Sequence, residues 1–150
     1  MSYVKTFKIN ATISRCSNNF GPWQMTEKLI PTVISNARVD KSIPVYGKGN
    51  QRRHWIYVDD HNASIMDILQ IGKRGEIYNI APTSHNYISN MSIIKRILKI
   101  MGKPTSLIEH VTDRAAHDTS YFLCTNKKYR IDAKYEKNLA LTVSWYLKNL

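Results

Sequence analysis

The stretch from Arg15 to Pro31, RCSNNFGPWQMTEKLIP, decides the fold class. Its polar run Ser17–Asn19 and the Gly21-Pro22 pair are turn formers, which end a strand that precedes them. The ten residues before the run, FKINATISRC (7–16), alternate apolar and polar side chains, which is the period of a half-buried strand. After the glycine and proline, apolar residues recur at helical spacing. A strand, a polar turn and a helix in this order indicate an α/β protein.

The helix after this turn is predicted to begin near Thr26, whose hydroxyl is a suitable N-cap. Pro31 is tolerated only near a first turn, so the sequence bounds this start only to within several residues. The apolar stripe expected to face the core comprises Leu29, Ile30, Val33, Ile34 and Ala37.

The rest of the chain repeats the alternation of strands and helices. Strand patterns occur in IPVY (43–46), HWIYV (54–58), EIYNI (76–80) and LIEHVT (107–112). Helical patterns follow Asp59 or Asp60 and run through MSIIKRILKIMGK (91–103) and NLALTVSWYLKNL (138–150). The residues expected to be buried on the first and last of these helices are Ala63, Ile65, Met66 and Leu69, and Leu141, Trp145 and Leu147.

Size and composition exclude several classes of protein. A chain of 150 residues with 43% hydrophobic and 22% charged side chains fits one globular domain. No apolar run reaches the roughly 20 residues of a membrane span, and Met1–Asn10 carries no signal-peptide pattern, so we expect a cytoplasmic protein without a membrane partner. Cys16 and Cys124 form no CxxC pair and the five histidines lack ligand spacing, so no metal site is expected.

The net charge of +11 is compatible with two kinds of partner. Clustered Lys and Arg would favour nucleic acid, because they neutralise phosphates and release counterions. The basic residues are dispersed along the chain, however, and become denser only at KKYR (127–130). A phosphate-bearing small molecule in a basic cleft is therefore the preferred hypothesis, and nucleic acid is the lesser alternative.

Two asparagines follow the first predicted strand. Ligands of open α/β sheets bind beyond the carboxyl ends of the strands, where Asn18 and Asn19 lie. An amide offers two donors and an acceptor, which suits ribose or sugar hydroxyls. The alternative is structural, since asparagines before Gly-Pro also form Asx-turns.

Several cations could bind an anionic group. Lys28 in a first helical turn opposes the helix dipole unless an anion docks there. Arg52 and Arg53 follow a glycine turn and Arg114 lies in a predicted loop, where an arginine can clamp a phosphate through two hydrogen bonds. Each of these residues could equally be a solvated surface cation.

This sequence contains neither a glycine-rich dinucleotide-binding turn nor an identifiable catalytic group. A dinucleotide-binding turn needs a G-x-G-x-x-G-like pattern, and no three of the six glycines fit it. Gly47-Lys48-Gly49 follows a strand but opens no helix, so we interpret it as a hairpin turn. Asp113, His117 and Asp118 look like an acid–base cluster but lack an identifiable nucleophile, so no catalytic residue is assigned.

Five segments together resemble the dTDP-glucose 4,6-dehydratases, which are extended short-chain dehydrogenase/reductases that use bound NAD. These segments are RCSNNFGPWQMTEKLIP, IPVYGKGNQRRHWIYVDDH, GEIYNI, DRAAHD and TVSWYLKN, and they occur in the family's order and spacing. The likeness covers nearly all of this chain but only the carboxyl-terminal half of the family's chain. The resemblance implies an α/β fold made of the last strands of a Rossmann-type sheet plus a small substrate-binding lobe.

The resemblance also implies site residues. Asn18 would face the substrate, a nucleoside diphosphate sugar, and Asn19 would face NAD. Asn90 matches a substrate asparagine if the loop before it carries a two-residue insertion. The other implied substrate-site residues are Lys28, Leu29, Pro44, Val45, Tyr46, Arg53, Asp113, Arg114 and His117.

This chain departs from the family in several places. The family's Y-x-x-x-K pair and Thr-Asp-Glu trio lie upstream of the matched region, and no tyrosine here has a lysine four places on. Ala115-Ala116 replaces Pro-Gly, which would reshape the loop because glycine adopts positive φ freely. His54 replaces an expected aspartate after Arg53.

We therefore expect a partial domain over residues 1–150, the sugar-nucleotide lobe with residual Rossmann strands, and no turnover by the chain alone. One alternative is half of a split enzyme, with another chain supplying the NAD-binding half. Another is a non-catalytic sugar-nucleotide-binding module. Strand edges deprived of their neighbours also predict self-association or dependence on a partner.

Overall fold

The computed structural model describes residues 1–82, 87–116, 118–125 and 134–150, together with the backbone of 130–131. The helices are α1 (Ser2–Phe7), α2 (Leu29–Arg38), α3 (Val58–Ile71), α4 (Asn90–Met101) and α5 (Tyr135–Asn149), with a 3-10 turn at Thr105–Leu107. The strands are β1 (Ile13–Cys16), β2 (Asn18–Phe20), β3 (Ile43–Tyr46), β4 (Arg52–Tyr57), β5 (Ile77–Pro82), β6 (Tyr87–Ser89), β7 (Ile108–Val111), β8 (Ser120–Tyr121) and β9 (Arg130–Ile131). The expected α/β class is confirmed.

The strands form three small sheets in which parallel pairing dominates. β1, β5 and β9 form one sheet, with Ile13 paired to Ile77. β2 pairs in parallel with β4, which also pairs with β6 and β8, and β3 pairs in parallel with β7. Only the β4–β6 pair is antiparallel among the described strand pairs. Parallel neighbours need crossover connections, and α2, α3 and α4 provide them.

The principal core lies among α2, α4 and α5 and the strands beneath them. These helices bury Val33, Ile34, Ile97 and Leu98 completely. α4 has well-defined ends, because Ser89 Oγ accepts a hydrogen bond from Ser92 N at its start and Gly102 takes a left-handed conformation at its end. The predicted stripe of α2 is confirmed for all its members except Leu29, which is only partly buried.

Several local expectations are wrong. Phe7 lies in helix α1, and the predicted strand 7–16 shortens to Ile13–Cys16. Lys28, not Thr26, occupies the N-cap of α2. The glycine turn 47–49 does not close a hairpin, because β3 and β4 belong to different sheets.

The buried faces of two helices also differ from expectation. Ala63, Met66, Leu69, Leu141 and Leu147 are exposed, and Ile65 and Trp145 are only partly buried. α5 instead buries Tyr135, Leu139, Thr142, Val143 and Tyr146, and α3 buries Ile68. Each of these helices carries more apolar residues than one face can hold, so periodicity alone could not choose the face.

Within the described part of the chain, every helix is too short or too polar to cross a bilayer.

Candidate functional site

A hollow lies where the amino end of α2 meets β2, β3, β4 and the start of α4. It consists of two cavities of about 390 Å³ each, which share Lys28, Leu29, Asn90 and Arg114 in their walls. The first cavity is also lined by Glu27, Thr32, Pro44, Val45, Tyr46, Gln51 and Ile94. The second is also lined by Asn18, Asn19, Gln24, Arg53 and Trp55.

The structure thus brings most of the predicted site residues together. Of those residues, only Asp113 and His117 are not in the walls described above. Asp113 lies next to the hollow, since its Oδ2 accepts a hydrogen bond of 2.7 Å from Gln51 Nε2. His117 lies outside the described residues, so its predicted role stays a prediction. Co-location is a finding, whereas the ligand contacts of all these residues remain predictions.

The amino end of α2 opens toward this hollow without a local cap. Lys28 is the N-cap residue in extended conformation, and neither a capping side chain nor an acidic first-turn residue is present. Pro31 is the third residue of the helix, where the N–H that it lacks would have had no helical acceptor. The peptide N–H groups at this end therefore leave a partial positive charge beside Lys28.

Lys28 carries a charge that its neighbour offsets only weakly. Its Nζ lies 2.9 Å from Glu27 Oε1, but the two side chains are 58% and 61% exposed. Exposed ion pairs of this kind contribute little, because water screens them and long side chains must be ordered to form them. A ligand anion could therefore displace Glu27 at low cost.

Backbone carbonyls hold Arg53 in place. Its Nη1 donates to Arg52 O and its Nη2 donates to Asp118 O, each over 2.8 Å. Carbonyl oxygens orient a guanidinium but do not neutralise it, so these contacts leave the positive charge in the wall of the hollow. They also tie the segment around Asp118 to β4.

The loop after β7 is fastened over the hollow by contacts that the sequence did not reveal. Gln51 is only 7% exposed, and its side-chain amide donates a hydrogen bond to the carboxylate of Asp113. Gly47 approaches this carboxylate so closely that a Cβ there would lie 3.1 Å from Oδ2. The guanidinium carbon of Arg114 lies 4.8 Å from the centre of the Tyr46 ring, a cation–π geometry.

This loop keeps a backbone shape that alanine disfavours. Ala116 has φ of +54°, in the left-handed region that glycine adopts without strain. The sequence predicted that replacing Pro-Gly by Ala115-Ala116 would reshape the loop. Alanine adopts this φ only with strain, and the expected difference from the family's loop stays a prediction.

One buried histidine, His54, and one partly buried histidine, His61, make structural contacts that the sequence analysis did not predict. His54 is 1% exposed and packs between Tyr87 and Phe122, with ring centroids 5.4 and 4.3 Å away. Burial lowers its pKa, and the nearby backbone of Leu123 offsets this only in part. Burial also lowers the pKa of His61, whose Nδ1 lies 3.0 Å from Asn19 Oδ1. The sequence showed that His54 stands where the family's pattern has an aspartate, but this difference did not indicate that the side chain is buried.

NAD, which the resemblance implies, would meet only part of a binding site among these residues. The sequence has no glycine-rich phosphate turn. The amide of Asn19, the one predicted NAD contact, is bonded to Cys16 Sγ (3.3 Å), Ser17 O (3.2 Å) and His61.

Comparison with known proteins gives consistent relatives. The dTDP-glucose 4,6-dehydratase of Escherichia coli is 37% identical over 160 residues, which cover 99% of this chain and 44% of the relative. That of Mycobacterium tuberculosis (strain ATCC 25618 / H37Rv) is 36% identical over 157 residues, covering 99% and 46%. The chain spans about half the length of the curated relatives it matches. The resemblance drawn from the sequence is confirmed.

Solved structures agree with these relatives. The dTDP-glucose 4,6-dehydratase of Bacillus anthracis in complex with NAD superposes with a TM-score of 0.90 at 38% identity, over 99% of this chain and 48% of that one. A UDP-glucuronic acid 4-epimerase from Bacillus cereus matches with a TM-score of 0.90 at 22% identity, which supports the fold alone. Residues 1–81 match the family model for NAD dependent epimerases and dehydratases. The chain therefore belongs to the NAD dependent epimerase/dehydratase family.

Proposed function

We propose that this chain binds a nucleoside diphosphate sugar in the hollow, as the substrate-binding part of a dTDP-glucose 4,6-dehydratase. The observation that carries the proposal is the grouping of Asn18, Lys28, Arg53 and Arg114 around one hollow. These residues come from β2, the N-cap of α2, β4 and the loop after β7. Surface cations without a common function have no reason to converge in this way.

The diphosphate is assigned to the amino end of α2. Lys28, Arg53 and Arg114 supply positive charge there, and the uncapped helix end supplies peptide N–H donors. Arg53 is already oriented by two carbonyls, so binding would cost it little side-chain entropy. Glu27 is the one carboxylate in the described walls, and it would have to leave Lys28 on binding.

The two cavities suggest where the ends of the ligand lie. Pro44, Val45 and Tyr46 form a largely apolar wall of the first cavity, which suits the flat face of a base. Asn18 belongs to the second cavity, where its amide could bond sugar hydroxyls. Asn90 and Leu29 line both cavities.

The dehydration itself is assigned to residues outside these 150. The family's tyrosine acts as acid/base with a lysine that lowers its pKa, and this sequence has no such pair. In the complete reaction NAD would supply oxidation at C4 and return of hydride at C6. The described residues would bind and orient the sugar nucleotide. We propose that the missing groups belong to a separate segment or polypeptide.

Calorimetry with dTDP-glucose and with dTDP tests the binding proposal. We expect both ligands to bind, and Arg53→Ala to weaken each about tenfold or more, since a hydrogen bond to a charged group contributes about 1.5–3 kcal/mol. Arg38→Ala is the matched control, because Arg38 is exposed at the opposite end of α2. Absence of binding at millimolar ligand would overturn the proposal.

A second candidate is half of a split enzyme, and the free edge of β1 supports it. β1 pairs only with β5 among the described strands, so its other edge could accept a further strand. Co-expression with an NAD-binding half from a relative should then give a stable complex and 4-keto product. A sugar-nucleotide-binding module would bind ligand without turnover, and nucleic-acid binding would instead show salt-sensitive retardation that dTDP does not compete.

A further inference from the structure

The side chain of Asn19 is held from three directions. Its Nδ2 lies 3.3 Å from Cys16 Sγ and 3.2 Å from Ser17 O, and its Oδ1 lies 3.0 Å from His61 Nδ1. Its own carbonyl accepts a hydrogen bond of 2.9 Å from Gln24 Nε2. These contacts join the end of β1, strand β2 and helix α3 at the corner that also carries Asn18.

The contacts determine which atoms carry hydrogen. The carbonyl of Ser17 can only accept, so the Asn19 atom that faces it must be the donor Nδ2. Oδ1 then faces His61, and because a carboxamide oxygen only accepts, His61 must donate from Nδ1. Burial lowers the pKa of His61, so the ring is neutral near pH 7 and its Nε2 carries the lone pair.

We propose that His61 is a positioning residue, which locks the Asn19 amide and thereby holds the β1–β2 corner with Asn18 turned to the hollow. Both N–H bonds of Asn19 are used by Ser17 and Cys16. In the described contacts, one lone pair of Oδ1 is the part of the Asn19 side-chain amide that no hydrogen bond uses. Asn19 can therefore offer a ligand an acceptor and no donor.

The part of this inference that concerns Asn18 rests on the proposed function. Asn18 precedes Asn19 directly on β2, so a corner that loosens should displace the sugar-facing amide. The proposed diphosphate and base contacts lie on α2, β3, β4 and the loop after β7, outside the corner itself. Loss of the lock should consequently affect recognition of the sugar and leave recognition of dTDP nearly unchanged.

Two measurements on the full chain test the inference. Nitrogen-15 NMR at pH 7.5 should show His61 as the Nδ1–H tautomer, with a pyridine-like Nε2. His61→Ala should weaken dTDP-glucose about fivefold, the worth of one hydrogen bond, and change dTDP affinity less than twofold. His61→Gln, whose amide can donate to Asn19, should recover part of the loss. Asn62→Ala, an exposed neighbour on α3, is the control and should behave as wild type.

The outcomes separate the lock from the proposed function. An Nε2–H tautomer would overturn the lock even if ligands bind normally. Equal weakening of dTDP-glucose and dTDP by His61→Ala would reduce His61 to a general stabiliser and overturn its positioning role, as would no weakening at all. If wild-type chain binds neither ligand, the proposed function fails, while the tautomer still decides the hydrogen-bond arrangement.

Discussion

The helical lobe (α2, α4 and α5) and the sheet side (β1, β5 and α3) are packed very differently. The lobe forms a continuous core with side chains such as Ile34, Ile97 and Leu139 fully buried. The sheet side has a separate small cluster among the described residues, in which Ile68 and Ile80 are buried against Ile56 of the neighbouring strand β4. Apolar side chains on the same side stay exposed, among them Ile13, Met66, Leu69 and Ile77.

This difference indicates that the helical lobe provides most of the stability and that the sheet side exposes apolar surface. Burial of apolar area is the main source of stability, so the lobe should dominate the free energy of unfolding. Exposed apolar side chains beside a free strand edge are typical of an interaction site. The hollow is built mainly on the lobe's side, which is consistent with a binding unit that keeps its shape alone.

The largest expected effect comes from the lobe core. Ile97→Ala removes a fully buried side chain and should lower the free energy of unfolding by about 2–5 kcal/mol, because transfer and cavity terms add. Leu69→Ala on the sheet side is the matched change, and since Leu69 is 71% exposed it should cost no more than about 0.5 kcal/mol. Urea denaturation measures both, and equal losses would remove the contrast between the two regions.

The next effect concerns acid sensitivity. Burial lowers the pKa of His54, so below about pH 6.5 the unfolded chain takes up a proton that the folded chain resists. The free energy of unfolding should therefore fall as pH drops from about 7 to 5. His54→Phe keeps an aromatic ring between Tyr87 and Phe122 and should flatten this fall, with a gain of about 1 kcal/mol near pH 5 and less at pH 8.

His61, on the sheet side, allows the same test in the other region of the molecule. Burial lowers the pKa of His61 as well, and His61→Gln should remove the contribution of His61 to the acid loss. Denaturation curves at several pH values distinguish the two variants. An unchanged slope in His54→Phe would show that this ring does not resist protonation.

A smaller effect is expected in the loop over the hollow. Ala116→Gly relieves a left-handed φ and should raise the free energy of unfolding by about 0.5–1 kcal/mol, since the backbone strain exceeds the added chain entropy. Ala115→Gly is the control: Ala115 is not among the residues with positive φ, so it should lose a few tenths of a kcal/mol or remain neutral. Destabilisation by Ala116→Gly would contradict strain at this position.

The smallest effect on stability should accompany a change in association. Leu69→Lys alters an exposed side chain, so its free energy of unfolding should stay within about 0.5 kcal/mol of wild type. If the sheet side is an interaction surface, the added charge should reduce self-association in sedimentation velocity. A wild-type chain that is monomeric at high concentration would argue against the predicted self-association.

Much of the fold could be predicted from local pattern. The α4 helix was recognised with its glycine stop, because Ile93, Ile97 and Gly102 follow rules that act within one element. Prediction failed for α5 and α3, where the apolar residues cover more than one face. Which face is buried depends on the partner that packs there, and that information is not local.

Some residues of the candidate site could be predicted from the sequence, and others could not. Asn18, Lys28, Arg53 and Arg114 were identified from their residue types, turn positions and the family resemblance. Gln51 and His61 were not, because a buried glutamine and a helix histidine have no local pattern that marks them as supports for Asp113 and Asn19.

The sequence by itself determined the α/β class, the family and the chemical character of the site, since these depend on periodicity, motif order and side-chain type. Only the tertiary structure decided that the site residues share one hollow, that α2 begins at Leu29 after Lys28, and that Ala116 has a left-handed conformation. The reason is physical. Convergence, burial and strain arise from contacts between segments far apart in the chain, such as Gln51 with Asp113, and no local pattern encodes their distance.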